Sequence, residues 1–404
     1  MAEPDHHITA GFLPLLDSLL LIVARERGFA EAEGVALSLV RETSWANIRD
    51  RVAVGHFDVA HMLAPMPVAA ALGLTPISVP VIAPMALGLG GNAVTVGTAL
   101  WKRLAAEGAD GDLDARRTGA ALARVVAQGG ERLKFGVVHP HSGHNCELRY
   151  WLAASGVHPD RDVEIVVLPP PLLPEALGQG AIDGYCVGEP WNSVGVDAGV
   201  GRLATIKAAI WKSSPEKVLG AGESWAAHNP DVLAALLRAV YRSSEWCGKP
   251  ENHWEAASIL ARPAYLDLPA TLLERGLNGH LATGGGDVLV EDFFIPHARA
   301  ATFPWTSHAL WFYSQMVRWG HVPHSDENAA RAAASYRPDL YRAAIAPLGV
   351  PVPSANAKVE GALLRPTPVG VTRGMLSLGP DGFFDGQVFD PALIDLYIAG
   401  QRPD

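Results

Sequence analysis

"LKFGVVHPHSGHNCELRYWLAASG", residues 133–156, contains a strand, a turn and a helix in one unbroken segment. The run LKFGVVH has the composition of a buried strand, and the Pro-His-Ser-Gly turn separates it from a helix that we expect to start near Asn145. Leu148, Trp151 and Leu152 share one face of that helix, and Gly156 is typical of a helix end. A strand that leads through a tight turn into a helix predicts an α/β fold with a parallel sheet.

The same alternation continues on both sides of this segment. Before it come the strand-like runs ITAGFLP, VALSLVRE, FDVAHML and AVTVG, with helices between them, and Asp17 or Ser18 is expected to cap the first helix. After it come the strands VEIVVLP and IDGYCVG, and from about Gly201 the chain turns helical. Because 404 residues exceed one comfortable core, we predict two α/β lobes, a ligand cleft between them and a C-terminal helical extension.

Composition limits the partners. The formal net charge of −10 disfavours nucleic acid and anionic membranes, so an anionic ligand needs a local positive site. The apolar run from Leu13 to Val23 is interrupted by Asp17 and is far shorter than the roughly 20 residues of a membrane helix. The acidic opening residues lack the features of a secretion signal, so we expect a cytoplasmic protein. Its three cysteines are expected to be reduced thiols.

The histidines of the opening segment allow three interpretations. His144 lies near the N-terminus of the predicted helix, beside free backbone N–H groups, which favours contact with an anion. A metal site is disfavoured because His139 and His141 flank Pro140, and because the spacing to Cys146 matches no common zinc signature. A plain surface histidine cluster remains the third possibility.

Two further motifs are weak on their own. GYCVG, residues 184–188, imitates a nucleophile elbow with Cys186 as the nucleophile, and Pro190 suits the first turn of a following helix. Cys186 fits equally well as a small apolar residue of a buried strand, so no enzyme is predicted. Lys217 in PEKV, taken alone, is more typical of a solvated surface charge than of a binding residue.

Long motifs along nearly the whole chain carry a family resemblance. They are SWANIRDRVAVGHFDVAHMLAPMPVAAALG, RYWLAASGVHPDRDVEIVVLPPP, IDGYCVGEPWN, WKSSPEK, SWAAHNP, WCGKPEN, FPWTSHALWFYSQMVRWG and the FDG and FDP of the tail. Together they resemble the nitrate/nitrite/bicarbonate-binding proteins of ABC importers. That resemblance implies a type II periplasmic-binding-protein-like clamp that closes on one small oxyanion. We place lobe I at residues 1–95 and 206–404, and lobe II at residues 96–205.

The resemblance also implies the binding residues. Trp45, His144 and Lys217 match the family's anion-binding pattern, and lysine at position 217 favours nitrate or nitrite because bicarbonate binders carry an acidic residue there. Asn92 stands where importer proteins usually have glutamine, which changes the reach of the amide. Nitrate is planar, monovalent and weakly basic, so it needs N–H donors and one positive charge. Neither a cofactor nor a metal is implied.

The resemblance leaves two biological roles open. Without a secretion signal the chain is most similar to the cytoplasmic nitrate/nitrite sensors, which hold an RNA-binding antiterminator protein inactive until the anion arrives. The alternative is the solute-binding subunit of a nitrate/nitrite importer. In neither role does the chain itself contact nucleic acid or span a membrane.

Overall fold

The computed structural model describes residues 6–401, which form two five-stranded sheets surrounded by helices. Within that range the β-strands are β1 His6–Phe12, β2 Val35–Arg41, β3 Val59–Leu63, β4 Val81–Ala86, β5 Leu89–Gly90, β6 Asn92–Gly97, β7 Leu133–Val137, β8 Val163–Val167, β9 Gly184–Gly188, β10 Gly201–Ile206, β11 Lys217–Gly222, β12 His280–Ala282, β13 Asp287–Leu289, β14 Phe294–Ile295, β15 Thr367–Val369 and β16 Leu376–Leu378.

The α-helices of the same range alternate with strands up to residue 228 and dominate thereafter, so the predicted change to helices near Gly201 is too early, because β10 and β11 follow it. They are α1 Leu19–Glu26, α2 Phe29–Ala32, α3 Trp45–Ala53, α4 Pro65–Ala71, α5 Thr98–Ala106, α6 Ala115–Ala127, α7 Gly143–Ala154, α8 Leu173–Gly178, α9 Trp191–Asp197, α10 Lys207–Ile210, α11 Glu223–His228, α12 Pro230–Cys247, α13 His253–Leu260, α14 Ala270–Asn278, α15 Thr306–Arg318, α16 Asp326–Ala334, α17 Pro338–Ile345 and α18 Ile394–Gly400. None of the described helices is long and apolar enough to cross a membrane.

Each sheet has a parallel centre and antiparallel additions. The first has the order β2-β1-β3-β11-β4, with β1 parallel to β2 and β3, and with β11 antiparallel to β3. The second has the order β10-β6-β9-β7-β8, with β7 parallel to β8 and β9, and with β6 antiparallel to β9. This is the predicted α/β architecture of two lobes followed by a helical extension, and it confirms the fold class.

The chain crosses between the sheets twice, before β6 and after β10. The predicted lobe boundaries, after residues 95 and 205, fall inside β6 and β10, which both belong to the second sheet. The first crossing lies between β4 and β6, and within it Gly90 has φ +77° and lies where a Cβ would come 2.2 Å from the Phe293 carbonyl oxygen. The crossings also contact each other, since the Gly90 N–H donates to the Ser214 carbonyl at 3.0 Å.

Two local predictions need correction. Helix α7 begins at Gly143, before the expected start near Asn145, because the Ser142 hydroxyl caps it by accepting from the Asn145 N–H at 3.0 Å. Neither Asp17 nor Ser18 caps α1 through its side chain. The Ser18 hydroxyl donates to the Leu15 carbonyl instead, and the Asp17 carboxylate turns into the protein interior.

The C-terminal part packs on the first lobe and also reaches the second crossing. Helix α12 contacts α1 and α17, and its buried face carries Leu236, Leu237 and Val240, as its amphipathic spacing predicts. Residues 380–384 run beside residues 210–213, where the Phe384 N–H donates to the Ile210 carbonyl at 2.9 Å. The tail thus lies along the connection between the lobes.

Candidate functional site

Buried polar side chains from both lobes meet at the carboxyl edges of the two sheets. Because β11 runs antiparallel to β3, its first residue, Lys217, lies at the end of β3. By the same geometry Asn92, the first residue of β6, pairs with Gly188 at the end of β9. His144 is the second residue of α7, which follows β7. Ligands of open α/β sheets bind at this edge.

The Lys217 ammonium is buried and already paired with two carboxylates. Its Nζ lies 2.8 Å from Asp17 Oδ2 and 2.8 Å from Glu216 Oε1. The other Asp17 oxygen lies 2.8 Å from His61 Nε2. Asp17 follows β1, His61 lies in β3, and Glu216 precedes β11, so the first lobe alone supplies this group.

A second lysine, Lys207, joins this group to the other lobe. Its Nζ lies 2.5 Å from Glu216 Oε2, 2.6 Å from the Pro215 carbonyl oxygen and 2.6 Å from Glu147 Oε1 on α7. Glu216 therefore bridges the two ammonium groups. We call the set of Asp17, His61, Glu147, Lys207, Glu216 and Lys217 the central cluster.

The carboxyl groups of the central cluster differ in protonation. Burial alone would raise the pKa of Asp17, but Lys217 and His61 bring it well below its ordinary range. For Glu216 burial is likewise outweighed, and His144 and the two lysines lower its pKa to about 2. Burial dominates at Glu147, whose pKa rises to about 8 despite the nearby Lys207. The surroundings of Asp17 and Glu216 thus favour the ionised carboxylate, whereas burial favours the protonated form of Glu147.

Five side chains in and beside the central cluster have unused hydrogen-bonding capacity. Within residues 6–401, these buried atoms have no hydrogen-bond partner: Trp45 Nε1, His61 Nδ1, Asn92 Nδ2 and Oδ1, both ring nitrogens of His144 and, despite the short ion-pair distance to Lys207, both carboxyl oxygens of Glu147. Buried polar groups are rarely left unsatisfied, because each costs about 1–3 kcal/mol. Their concentration here indicates a place for a small polar ligand.

The unpartnered side chains lie directly beside the ammonium of Lys217. The Trp45 ring is 5.4 Å from Lys217 Nζ and 5.3 Å from the His61 ring. His144 Nε2 is 3.3 Å from Glu216 Oε1, and burial lowers the pKa of His144 to about 3, so the ring is neutral. A neutral imidazole offers one N–H donor.

The structure brings the four predicted binding residues to one place. Trp45, Asn92, His144 and Lys217 are each at most 1% exposed, which rules out a solvated surface role for Lys217 and for His144. Asn92 lies against the Glu147 carboxyl, although not in the geometry of a formed hydrogen bond.

Sequence reasoning missed the partners of these residues. Asp17 had a visible signal, because it is an acidic residue inside the apolar run from Leu13 to Val23. Glu216 stands next to Lys217 in the quoted PEK motif. Glu147 and Lys207 had no comparable signal, since each lies in an ordinary helical context.

The geometry does not support a metal site at the histidines or a nucleophile elbow at Cys186. Among the residues that the structure describes, no group of three or more His, Cys, Asp or Glu side chains could hold a metal ion. His139 and His141 pack against each other, and His141 packs edge-on against His321. Cys186 lies in the middle of β9 rather than at a strand-to-helix turn, and burial raises the pKa of its thiol well above the ordinary value.

Comparison with known proteins places the chain in a family. The model of the NMT1-like family matches residues 1–261. The nitrate/nitrite binding protein NrtA of Synechococcus elongatus is 32% identical over 408 residues, which cover 98% of this chain and 86% of that protein. The nitrate import ATP-binding protein NrtC of Synechocystis sp. is 34% identical over 352 residues, which cover 85% of this chain and 51% of NrtC.

A solved structure extends the likeness to the whole fold. The crystal structure of the periplasmic nitrate-binding protein NrtA from Synechocystis PCC 6803 superimposes with a TM-score of 0.87 at 28% identity, covering 100% of both chains. The fold and the sequence thus point to the same group of proteins. The chain belongs to the NMT1-like family and is a homologue of the NrtA nitrate/nitrite binding proteins.

Proposed function

We propose that this protein binds one nitrate or nitrite ion between its two lobes, as a binding protein rather than an enzyme. The observation that carries the proposal is the set of unpartnered donors around Lys217. Trp45 Nε1, Asn92 Nδ2 and a ring nitrogen of His144 are buried beside an ammonium group, with no partner among the described residues. Relatives named for nitrate and nitrite binding support the same ligand class.

The contacts of Lys217 suit a monovalent, weakly basic anion. Two of the three ammonium donors point to Asp17 and Glu216, which leaves one for a ligand. The two carboxylates also offset much of the positive charge, so a doubly charged oxyanion would remain poorly neutralised in this buried site. Nitrate needs donors rather than acceptors, and the unpartnered N–H groups supply them in addition to the ammonium.

The biological role is the finer part of the proposal. A solute-binding role in a nitrate/nitrite importer is favoured, because relatives include a nitrate import ATP-binding protein and a periplasmic nitrate-binding protein. The cytoplasmic sensor with an antiterminator partner stays a prediction. Co-purification would separate the two roles: nitrate-dependent release of an RNA-binding protein supports the sensor, whereas association with a permease and an ATPase supports the importer.

Calorimetry with a matched pair of lysine variants tests the ligand and the site. We expect nitrate and nitrite to bind the wild type, and sulfate and bicarbonate to bind far more weakly. Lys217→Met removes the buried charge that faces the ligand and should weaken nitrate binding at least about 100-fold, which corresponds to about 2.7 kcal/mol. Lys217→Glu, which adds a like charge, should abolish binding.

Lys358→Met is the control for that experiment. Lys358 is also paired with two buried acidic residues, Glu360 and Asp381, but its own side chain is partly exposed and it lies in the C-terminal part of the chain. Its substitution should leave nitrate affinity within about twofold of the wild type. Equal nitrate affinity in Lys217→Met and the wild type would disprove the site assignment.

A further inference from the structure

The central cluster has an excess of acidic groups before any anion enters. Lys207 and Lys217 face three carboxyl groups, those of Asp17, Glu147 and Glu216, and all are buried. Were all three ionised, the cluster would hold one carboxylate in excess, and a bound anion would add a second uncompensated charge. Burying an unpaired charge costs several kcal/mol. If one carboxyl group keeps its proton, the two lysines balance the two remaining carboxylates, and the uncompensated charge with the anion bound falls from two to one.

The contacts single out Glu147 as that group. Asp17 and Glu216 both touch the Lys217 ammonium, whereas Glu147 is paired with Lys207 alone, which also contacts Glu216 and the Pro215 carbonyl. Burial raises the pKa of Glu147 to about 8, opposite in direction to Asp17 and Glu216.

Glu147 also lies against the candidate anion ligand Asn92, and its protonation decides what the amide can offer. A protonated carboxyl donates its O–H to Asn92 Oδ1 and leaves the Nδ2 donors free for the anion. An ionised carboxylate accepts from Nδ2 instead and turns the carbonyl oxygen toward the anion, which repels it. Neither bond is formed in the structure, because both polar atoms of the amide and both Glu147 oxygens have no hydrogen-bond partner among the described residues.

We infer that Glu147 is a positioning residue whose protonated form orients the Asn92 amide for the anion, so that nitrate binding is coupled to retention or uptake of one proton. The inference rests on the proposed function. It concerns a residue that touches Lys207 and Asn92 and acts on the ligand through them.

Other ionisable groups around Glu147 do not titrate between pH 6 and pH 9. Lys207, Glu216 and Asn92 act on Glu147, which in turn acts on the thiols of Cys186 in β9 and Cys146 on its own helix, and His144 lies three residues before it on that helix. Burial raises the pKa of both thiols far above this range and lowers the pKa of His144 to about 3. Nitrate and nitrite both remain monoanions over the same interval.

Nitrate calorimetry from pH 6 to pH 9 tests the inference. Wild-type affinity should fall about tenfold by pH 9, because one unit above a pKa of about 8 only about a tenth of the carboxyls keep their proton. Glu147→Gln, whose amide mimics the protonated acid, should bind within about threefold of the wild type at pH 6 and lose the pH dependence.

Glu189→Gln is the matched control. Burial raises the pKa of this second carboxyl to about 7, but its Oε2 accepts from the Ser193 N–H and it is not part of the central cluster. The variant should keep the wild-type pH profile. Persistence of the pH dependence in Glu147→Gln, or its loss in Glu189→Gln alone, would overturn the inference.

A measurement on the wild type covers the case in which Glu147→Gln fails to fold. Calorimetry at pH 8 in two buffers with different ionisation enthalpies should show uptake of about half a proton for each nitrate bound. Binding without proton uptake and with a flat pH profile contradicts the role of Glu147 while the proposed function stands. Absence of nitrate binding at every pH contradicts the proposed function itself.

Discussion

The central cluster and a second buried cluster near the C-terminus share the same components. In the second, which we call the tail cluster, Lys358 pairs with Glu360 and Asp381, and His308 lies 3.4 Å from Glu360. The part of the central cluster around Lys217 is built alike, with one lysine between Asp17 and Glu216 and the buried His61 alongside. Their surroundings differ: the tail cluster holds two segments of the chain together, whereas the central cluster is the candidate binding site.

In the tail cluster the carboxylates are satisfied by nearby protein groups. Glu360 Oε1 accepts from the Ser307 hydroxyl of α15 at 2.6 Å, and Asp381 Oδ1 accepts from the Leu363 N–H at 2.8 Å. The cluster therefore fastens the segment 358–381 to α15. Both ring nitrogens of its His308 nevertheless have no hydrogen-bond partner in residues 6–401, so unpartnered atoms occur beside both clusters. The central cluster differs in its place: it joins the two lobes at the carboxyl edges of their sheets, and an amide, an indole and an imidazole with unpartnered atoms converge there. Buried ion pairs alone do not indicate a ligand site, but such a convergence at the sheet edges does.

The largest expected effect is on stability, when either lysine is removed. Lys217→Met leaves Asp17 and Glu216 buried without their shared cation, and Lys358→Met does the same to Glu360 and Asp381. Each should lower the free energy of unfolding by about 3–5 kcal/mol. Urea denaturation measures the loss in both variants.

Added nitrate distinguishes the two lysine variants. A ligand that binds only the native state raises the melting temperature, and at a fixed ligand concentration the rise is larger when the affinity is higher. We expect nitrate to raise the melting temperature of the wild type and of Lys358→Met equally, and that of Lys217→Met hardly at all. Equal shifts in both variants would mean that the two clusters do not differ in function.

Acid should weaken the tail cluster by a slightly smaller amount. Burial opposes ionisation of Glu360, but Lys358 and His308 lower its pKa from 4.5 to about 2. A carboxyl with a lowered native pKa stabilises the fold above its unfolded value, and that stability is lost as pH falls from about 4.5 to about 2. Glu360 should contribute about 3 kcal/mol of this loss.

Denaturation of Glu360→Gln at pH 7, 4 and 3 checks the acid effect. The variant should be less stable than the wild type at pH 7 and lose less stability on acidification. Parallel pH profiles would show that Glu360 has no lowered native pKa. Nitrate affinity at pH 7 should be unchanged, because this carboxyl belongs to the tail cluster.

The sequence predicts the local elements of this fold but not its long-range ion pairs. The strand–turn–helix unit of residues 133–156 and the alternation around it are local patterns, so they predicted the lobes, α7 and the position of His144. The ion pairs are not local, since Asp17 and Lys217 are 200 residues apart. No periodicity encodes such a pair, and only the odd placement of Asp17 in an apolar run indicated it.

The remaining site residues show the same limit. Trp45, Asn92 and Lys217 were predicted through the resemblance to a family, since each is an isolated residue with no local pattern of its own. No local pattern marks Glu147 as a site residue, because the apolar face of its helix and the helix end at Gly156 account for the local sequence. Its role depends on contact with Lys207, which lies on another element and comes close to Glu147 only in the folded chain.

A moderate effect is expected from removing one unused donor. Trp45→Phe keeps an aromatic ring beside Lys217 but deletes the indole N–H, which has no acceptor among the described residues. Stability should therefore change little, while nitrate affinity falls about threefold to tenfold, the equivalent of one hydrogen bond of about 0.5–1.5 kcal/mol. Calorimetry and urea denaturation of the same preparation measure both quantities.

Trp151→Phe is the opposite case. The Trp151 indole N–H donates to the Ala115 carbonyl at 2.8 Å, within the second lobe. Its loss should cost about 1 kcal/mol of stability and leave nitrate affinity unchanged. A Trp45→Phe protein that loses stability but keeps full affinity would show that the indole of Trp45 serves packing alone.

The smallest expected effect concerns the choice between nitrate and nitrite. Asn92 lies at the start of β6, and space behind its amide is limited, because a Cβ on Gly188 would come within 3.2 Å of Asn92 Oδ1. In Asn92→Gln the extra methylene must therefore carry the amide forward into the cleft. Nitrate has one oxygen more than nitrite, so it should lose more affinity, and the nitrate-to-nitrite affinity ratio should fall about threefold, less than 1 kcal/mol.

Asn192→Gln is the control, because the amide of this buried residue is engaged by Val187 and Thr95. That variant should lose stability with no change in the ratio, and an unchanged ratio in Asn92→Gln would show that this amide does not contact the anion.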